Sequence, residues 1–158
     1  MLEIDPIDPQ TTIHLREITE DNLREVCDLS QTLSDAQRRM VADNSLSIAQ
    51  GCYSDHAWFR AIYAGDKPVG FLMLYDDPET PEYFLWRLMI AGPYQKRGYG
   101  QRAVELLIDH VKTRPGAREL LVSCGEGEAS PEGFYLLLGF KRNGKMYGDE
   151  VGLSLPLT

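Results

Sequence analysis

The stretch YFLWRLMI, residues 83–90, constrains this chain more than any other. It is apolar at every position except Arg87, so as a strand it must be central, with both faces covered. An apolar hairpin precedes it. AWFRAIY (57–63), the turn AGDK (64–67) and PVGFLMLY (68–75) carry the strand–turn–strand pattern. The polar, proline-bearing loop DDPETPE then leads into residues 83–90. Three consecutive antiparallel strands follow from this arrangement.

The flanking segments supply the covering layers. Residues 13–18 alternate apolar and polar as a half-buried strand. Thr19 stands as N-cap of a helix reaching Leu29, with Leu23, Val26, Cys27 and Leu29 facing inward. Residues 34–51 form one or two short helices ending at Gly51. After Gly100, the residues Ala103, Val104, Leu107, Ile108 and Val111 make one apolar stripe at helical spacing. ELLVS (119–123) is a short buried strand. Ser130-Pro131-Glu132 opens a helix with the cap, the proline and the early acid in order, and Gly139 ends it. Residues 140–142 and 150–155 pair as a last hairpin across NGKMYGD. The order predicts a mixed α/β (α+β) domain with a mostly antiparallel sheet over residues 11–158, after an acidic tail at 1–10.

Bulk properties narrow the partners. A net charge of -8 argues against a nucleic-acid partner and suits a small cationic substrate. No run approaches the roughly 18 apolar residues that a membrane span needs, and the first residues carry no export pattern. Cys27, Cys52 and Cys124 are odd in number and scattered, with no CxxC or His-rich partner. They read as reduced, buried thiols of a cytoplasmic protein, with no metal site.

The chemistry concentrates at AGPYQKRGYGQRAVELLIDHV, residues 91–111. Glycines at a loop-to-helix junction let a ligand approach the backbone, and the unpaired N–H groups of a helix start favour a phosphate. Gly98 to Ala103 matches the dinucleotide fingerprint G-x-G-x-x-A, with Glu119 near the expected ribose acid. Seven residues, however, separate Ile90 from Gly98, and hairpins rather than crossover helices precede the motif. A longer cradle fits better. Gln95 donates from its amide, Lys96 and Arg97 complement charge, and the N–H groups from Arg97 through Gly98, Tyr99 and Gly100 to Gln101 face a diphosphate.

The pattern Q-x-x-G-x-G opening a helix after an apolar strand resembles the acyl-CoA signature of the GNAT N-acetyltransferases. SPEGFYLLLGF (130–140) resembles that family's tyrosine-bearing helix, Y-x-x-x-G-F. VADNSLSIAQ, PVGFLMLY, YFLWRLMI and GDEV look like its bacterial diamine or spermidine acetyltransferase branch. The resemblance implies about seven strands, with a splay between the fourth and fifth. It implies acetyl-CoA as cosubstrate and direct attack by a primary amine such as that of spermidine, with no covalent enzyme intermediate. Leu88, Met89 and Ile90 would pair with the pantetheine arm, and the Leu88 N–H would polarise the thioester carbonyl. Tyr135 would protonate the leaving thiolate. Glu82, at the strand entrance, is the leading base, acting through water. Asp76, Asp77, Asp149 and Glu150 would line a groove for an extended polycation. A homodimer is the family expectation.

Two departures stand out. Glu128 occupies the place, seven residues before Tyr135, where the family commonly has an asparagine on the cofactor arm. After the strand comes Ala91-Gly92-Pro93, with the proline one place late. These leave open a non-catalytic acyl-CoA-binding sensor, or transfer to a protein N-terminus or an antibiotic amine.

Overall fold

The computed structural model describes residues 11–158, and the expected tail at 1–10 lies outside the described residues. Its strands are β1 (Ile13–Arg16), β2 (Ala57–Ala64), β3 (Lys67–Asp77), β4 (Glu82–Ile90), β5 (Glu119–Cys124), β6 (Lys141–Tyr147) and β7 (Glu150–Pro156). They form one seven-stranded sheet in the order β1-β2-β3-β4-β5-β7-β6. Only β4 and β5 pair in parallel; every other neighbouring pair is antiparallel. The helices are α1 (Leu23–Asp28), α2 (Asp35–Arg38), α3 (Asn44–Tyr53), α4 (Tyr99–Lys112) and α5 (Glu132–Leu137). The mixed, mostly antiparallel class read from the sequence is the fold observed. Among the described residues no helix is long and apolar enough to cross a membrane.

The sheet carries apolar side chains on both faces because each face has its own helical layer. On one face Leu72, Leu74, Tyr83 and Leu85 pack with Val104, Leu107 and Val111 of α4 and with Tyr135 and Phe140. On the other, Phe71, Met73 and Met89 pack with Val26, Leu29 and Ile48. Of the apolar run at 83–90 this covers Tyr83, Leu85 and Met89 fully, whereas Phe84, Trp86, Leu88 and Ile90 are only partly buried, so the strand expected to be covered on both faces is covered in part. A buried polar clasp ties the second layer together. The Asn44 N–H donates to Ser30 Oγ at 2.8 Å, and its Nδ2 donates to the Val26 carbonyl at 2.8 Å.

Four expectations are corrected. The first helix starts at Leu23 rather than after Thr19, because the Asn22 side chain accepts the Thr19 N–H at 2.8 Å and holds 19–22 as a turn. Leu23 consequently points outward, 41% exposed. Gly51 does not end its helix, which runs to Tyr53. A Cβ there would stand 2.7 Å from the Phe59 ring, so packing explains that glycine. The last hairpin turns at Gly148, with φ 63, because a register shift between Arg142 and Met146 absorbs the extra residues and lets β6 continue through NGKMY. Of the three free cysteines only Cys124 is buried; Cys27 is partly exposed and Cys52 exposed.

Gly70 holds β3 and β4 at their observed spacing. A Cβ on it would lie 2.4 Å from the Met89 carbonyl oxygen, a contact no side chain could relieve. Gly70→Ala is expected to cost about 1–3 kcal/mol and to lower Tm by roughly 5 °C. Thermal unfolding followed by circular dichroism checks this, and an unchanged Tm would mean that the strands separate freely.

Candidate active site

The parallel pairing of β4 with β5 lasts for two positions, Phe84 with Leu121 and Leu85 with Val122. On its other side, β4 shifts register against β3. Met73 faces Arg87 while Leu74 faces Leu85, leaving Trp86 as the extra residue of a bulge. A bulge bends its strand and raises the local twist, which turns the C-terminal half of β4 away from β5. The sheet therefore opens between its fourth and fifth strands. A cavity of about 1110 Å³ occupies the opening. It is walled by residues 84–90, by Ser123 and Cys124, by the start of α4, by Tyr135, by Tyr147 and Glu150, and by the segment from Leu33 to Ala42.

Leu88, Met89 and Ile90 lie on this opening as expected, on a strand edge that β5 no longer covers. The loop after them is fixed by Gln95, whose Nε2 donates to the Ile90 carbonyl at 2.8 Å. A second bond joins Gln37 Nε2 to Gln95 Oε1 at 3.0 Å. The amide assigned to a ligand thus pins the loop and α2 to the end of β4. Lys96 takes a left-handed backbone, φ 63, rare for a side-chain-bearing residue, and lines the cavity. Arg97 does not line it, and its side chain lies beside the Tyr99 hydroxyl.

The first bond inside α4 runs from the Arg102 N–H to the Gly98 carbonyl at 3.1 Å. The N–H groups of Tyr99, Gly100 and Gln101 therefore have no intrahelical acceptor, and no side chain caps them. Together with the dipole of a 14-residue helix they present positive potential at the cavity mouth. The two glycines serve different ends. Gly98 sits at φ 82 with open space around its missing Cβ, so conformation selects it. A Cβ at Gly100 would lie 3.3 Å from the Phe134 ring, so this glycine lets α5 pack against α4 rather than clearing room for a ligand.

The Y-x-x-x-G-F motif has a local cause. Ser130 Oγ accepts the Glu132 N–H at 3.2 Å and starts α5. Gly139, at φ 102, ends it, and the Phe140 N–H bonds back to the Tyr135 carbonyl at 3.1 Å. That turn brings the Phe140 ring within 5.4 Å of the Tyr135 ring, while Phe134 flanks its other side at 5.2 Å. Tyr135 is 4% exposed and faces the cavity. Burial pushes its phenol well above the ordinary value, and nearby Cys124 and Glu150 add to the shift.

The expected carboxylates are not brought together at the opening. Glu82 is exposed at the first position of β4, opposite Asp77 and outside the cavity lining, because the opening lies at the other end of that strand. Asp76 ion-pairs with Arg114 at 2.9 Å and borders a separate hollow. Asp77 accepts the Thr80 hydroxyl at 2.6 Å, which holds its carboxyl below the usual range, and Asp149 is exposed in the last turn. The expected acidic groove is thereby corrected: Glu150 alone of the four lines the cavity, accepting the Ser123 hydroxyl at 3.0 Å. Glu128 is exposed and outside the lining, whereas Ala129 and Ser130 are on it.

Sequence reasoning missed the cationic side of the cleft. Arg38, Arg39, Arg87 and Lys96 line it against the single carboxylate of Glu150. The signal for Arg87 was in plain view, as the one charge inside an otherwise apolar strand. Arg38 is partly neutralised by Asp43 at 3.2 Å. Among the described residues no group of three or more His, Cys, Asp or Glu is placed to hold a metal.

Residues 21–140 match the model of the Acetyltransferase (GNAT) family. An uncharacterized N-acetyltransferase of Bacillus pumilus (strain SAFR-032) is 34% identical over 82 residues, a stretch covering 46% of this chain and 45% of that protein. The chain thus spans about half the length of that relative. The spermine/spermidine N(1)-acetyltransferase of Bacillus subtilis (strain 168) is 25% identical over 144 residues, covering 85% of this chain and 91% of its own. The crystal structure of PaiA N-acetyltransferase from Thermoplasma acidophilum, in complex with coenzyme A, superposes with a TM-score of 0.67 at 17% identity. That match covers 92% of this chain and 99% of the other.

The raised phenol gives a measurable sign. Folding favours the neutral hydroxyl of Tyr135, so its contribution to stability is complete below about pH 10 and is lost as pH rises beyond it. The difference in tyrosinate absorbance between the wild type and Tyr135→Phe is expected to stay flat to about pH 11. A step near the ordinary phenol value would show the hydroxyl to be open to water.

Proposed function

The chain belongs to the acetyltransferase (GNAT) family and is an acyltransferase; from that premise we propose that it moves the acetyl group of acetyl-CoA directly to the primary amine of a small molecule. The observation that carries the reading is the opening between β4 and β5, with α4 starting at its mouth. The bound cosubstrate would supply an activated thioester. Residues 88–90 would hold its arm along the uncovered edge of β4, and the Leu88 N–H would stabilise charge developing on the carbonyl oxygen. The N–H groups of Tyr99, Gly100 and Gln101, with Lys96, would hold its diphosphate. Gln95 would act one step back, by fixing the loop.

Tyr135 is proposed as the acid that protonates the departing thiolate. Its buried hydroxyl stays protonated at neutral pH, and a thiolate of ordinary pKa about 8.5 is a good enough leaving group to need little help from an acid. An alkyl ammonium near pKa 10 must first lose a proton. Glu150 is proposed for that task in place of Glu82, since it borders the cavity and reaches Tyr135 electrostatically. The whole activity is assigned to one domain formed by residues 11–158, working in the cytoplasm.

The finer acceptor, a diamine or polyamine such as spermidine, is supported from outside the cleft, by the names of two relatives and by the net charge of -8. The lining favours a second acceptor, an amine that carries its own anion, because arginines outnumber carboxylates there.

Thiol release from acetyl-CoA with a panel of amines, followed by mass spectrometry of the product, tests the reaction. Turnover with at least one amine is expected, and Tyr135→Phe should lower kcat at least about tenfold. Full activity in that variant would remove Tyr135 from the role. Tight coenzyme binding with no amine acetylated would favour a sensor.

A further inference from the structure

Arg87 is the least explained charge in the molecule. It projects from β4 just past the Trp86 bulge, lines the cavity, and is about half-buried. Its partners are neutral: Nη1 donates to the Trp86 carbonyl at 3.0 Å and Nη2 to Gln50 Oε1 at 3.2 Å. Its Nε is buried with no acceptor. Among the described residues no carboxylate lies within ion-pair distance of it. An arginine cannot discharge itself by losing its proton, so its burial is offset here by the two neutral hydrogen bonds, the Trp86 ring 5.4 Å away and the field of Glu150, with no ion pair.

Glu150 is the nearest source of compensation. It is close enough to raise the guanidinium's pKa against the lowering effect of burial, yet it makes no ion pair with it. Glu150 is engaged by the Ser123 hydroxyl instead. The groups felt around Glu150 are Arg87 from β4, Cys124 from β5 and Tyr135 from α5. A cation and an anion therefore share one cleft without meeting. Collapse into a pair is prevented on one side by the Gln50 and Trp86 bonds and on the other by Ser123.

We infer that the acceptor is a primary amine bearing a carboxylate, which Arg87 receives while Glu150 takes the ammonium end. The inference rests on the acetyl-transfer reading of the same cleft and narrows its acceptor from a polycation to a zwitterion. The chemistry of the two ends fits. A guanidinium offers a planar fork that matches a carboxylate, and its spare N–H groups are already oriented by the two neutral bonds. A polyamine would bring another positive charge toward a half-buried cation, at a cost that grows as water leaves the cleft. In the transfer itself the amine nitrogen forms the bond to the acetyl carbon and the carbon–sulfur bond breaks. The ammonium's surplus proton passes to Glu150 before attack; the departing thiolate takes a proton from Tyr135, and the second proton that nitrogen sheds on becoming an amide restores the phenol.

Matched pairs isolate the carboxylate: ornithine against putrescine, and lysine against cadaverine, which differ by that group alone. The amino acid of each pair is expected to show kcat/KM at least about tenfold higher, the worth of one charge-assisted hydrogen bond. It should also bind the coenzyme-loaded protein more tightly in calorimetry. Arg87→Gln, which keeps a side-chain amide near Gln50, should erase most of that preference, and Arg87→Lys should restore part of it. A preference for putrescine over ornithine in the wild type would overturn the inference. So would an unchanged ratio in Arg87→Gln, or failure of both amino acids to bind the loaded protein. The acetyl-transfer reading fails differently, at the first titration, by showing no binding of coenzyme A.

Discussion

Everything specific about this cleft depends on a strand edge that loses its neighbour. Backbone N–H and C=O groups inside a protein must find partners, and in a closed sheet β5 would satisfy those of β4 along its length. Here β5 does so for two residues and then departs, because Trp86 is inserted as a bulge and turns β4 away. The edge beyond is left ready to bond an extended ligand as a strand would. Behind that edge, β3 packs so closely that a Cβ at Gly70 would collide with the Met89 carbonyl. A ligand arm laid on it meets oriented groups rather than ones that must first be ordered, which lowers the entropic cost of binding.

The mouth of the opening is built on the same economy. α4 begins where β4 ends, with Gly98 supplying the left-handed turn and Gln95 tying the loop to Ile90. Its first N–H groups are unsatisfied by the helix itself, so they stay available to an anion. Phe134 fills the gap beside Gly100 and locks α5 to α4. Tyr135 is thereby held against the same cavity. One aromatic contact thus couples the start of α4, proposed to hold the diphosphate, to the proposed acid.

The net charge of the chain and the charge of its cleft point in opposite directions. Asp76, Asp77 and Asp149, which contribute to the overall acidity, lie away from the opening, in an ion pair, a turn and an exposed loop. Four cationic residues line the opening along with Glu150, three of them solvent-exposed and Arg87 half-buried. Electrostatic energy scales inversely with distance and with the local dielectric, so the half-buried Arg87 outweighs several solvated carboxylates. On the proposed reading, acceptor selection would follow the few charges within the wall.

The apolar run at 83–90, the hairpin at 57–75 and the stripe on α4 are local patterns, and the sequence alone determined from them a mostly antiparallel sheet between helical layers. It also determined the glycine turn into α4 and the tyrosine helix, since glycine conformations and helix caps act over a few residues. What only the tertiary structure decided are relations between distant segments. It set Gln95 on the carbonyl of Ile90, Phe134 into the space at Gly100, and Glu150 rather than Glu82 on the cavity wall. It also showed Arg87 to be half-buried without a carboxylate partner among the described residues. The physical reason is one of range. Periodicity and capping are written along the chain, whereas the direction a charge faces depends on a bulge in one strand and on where a partner strand leaves it.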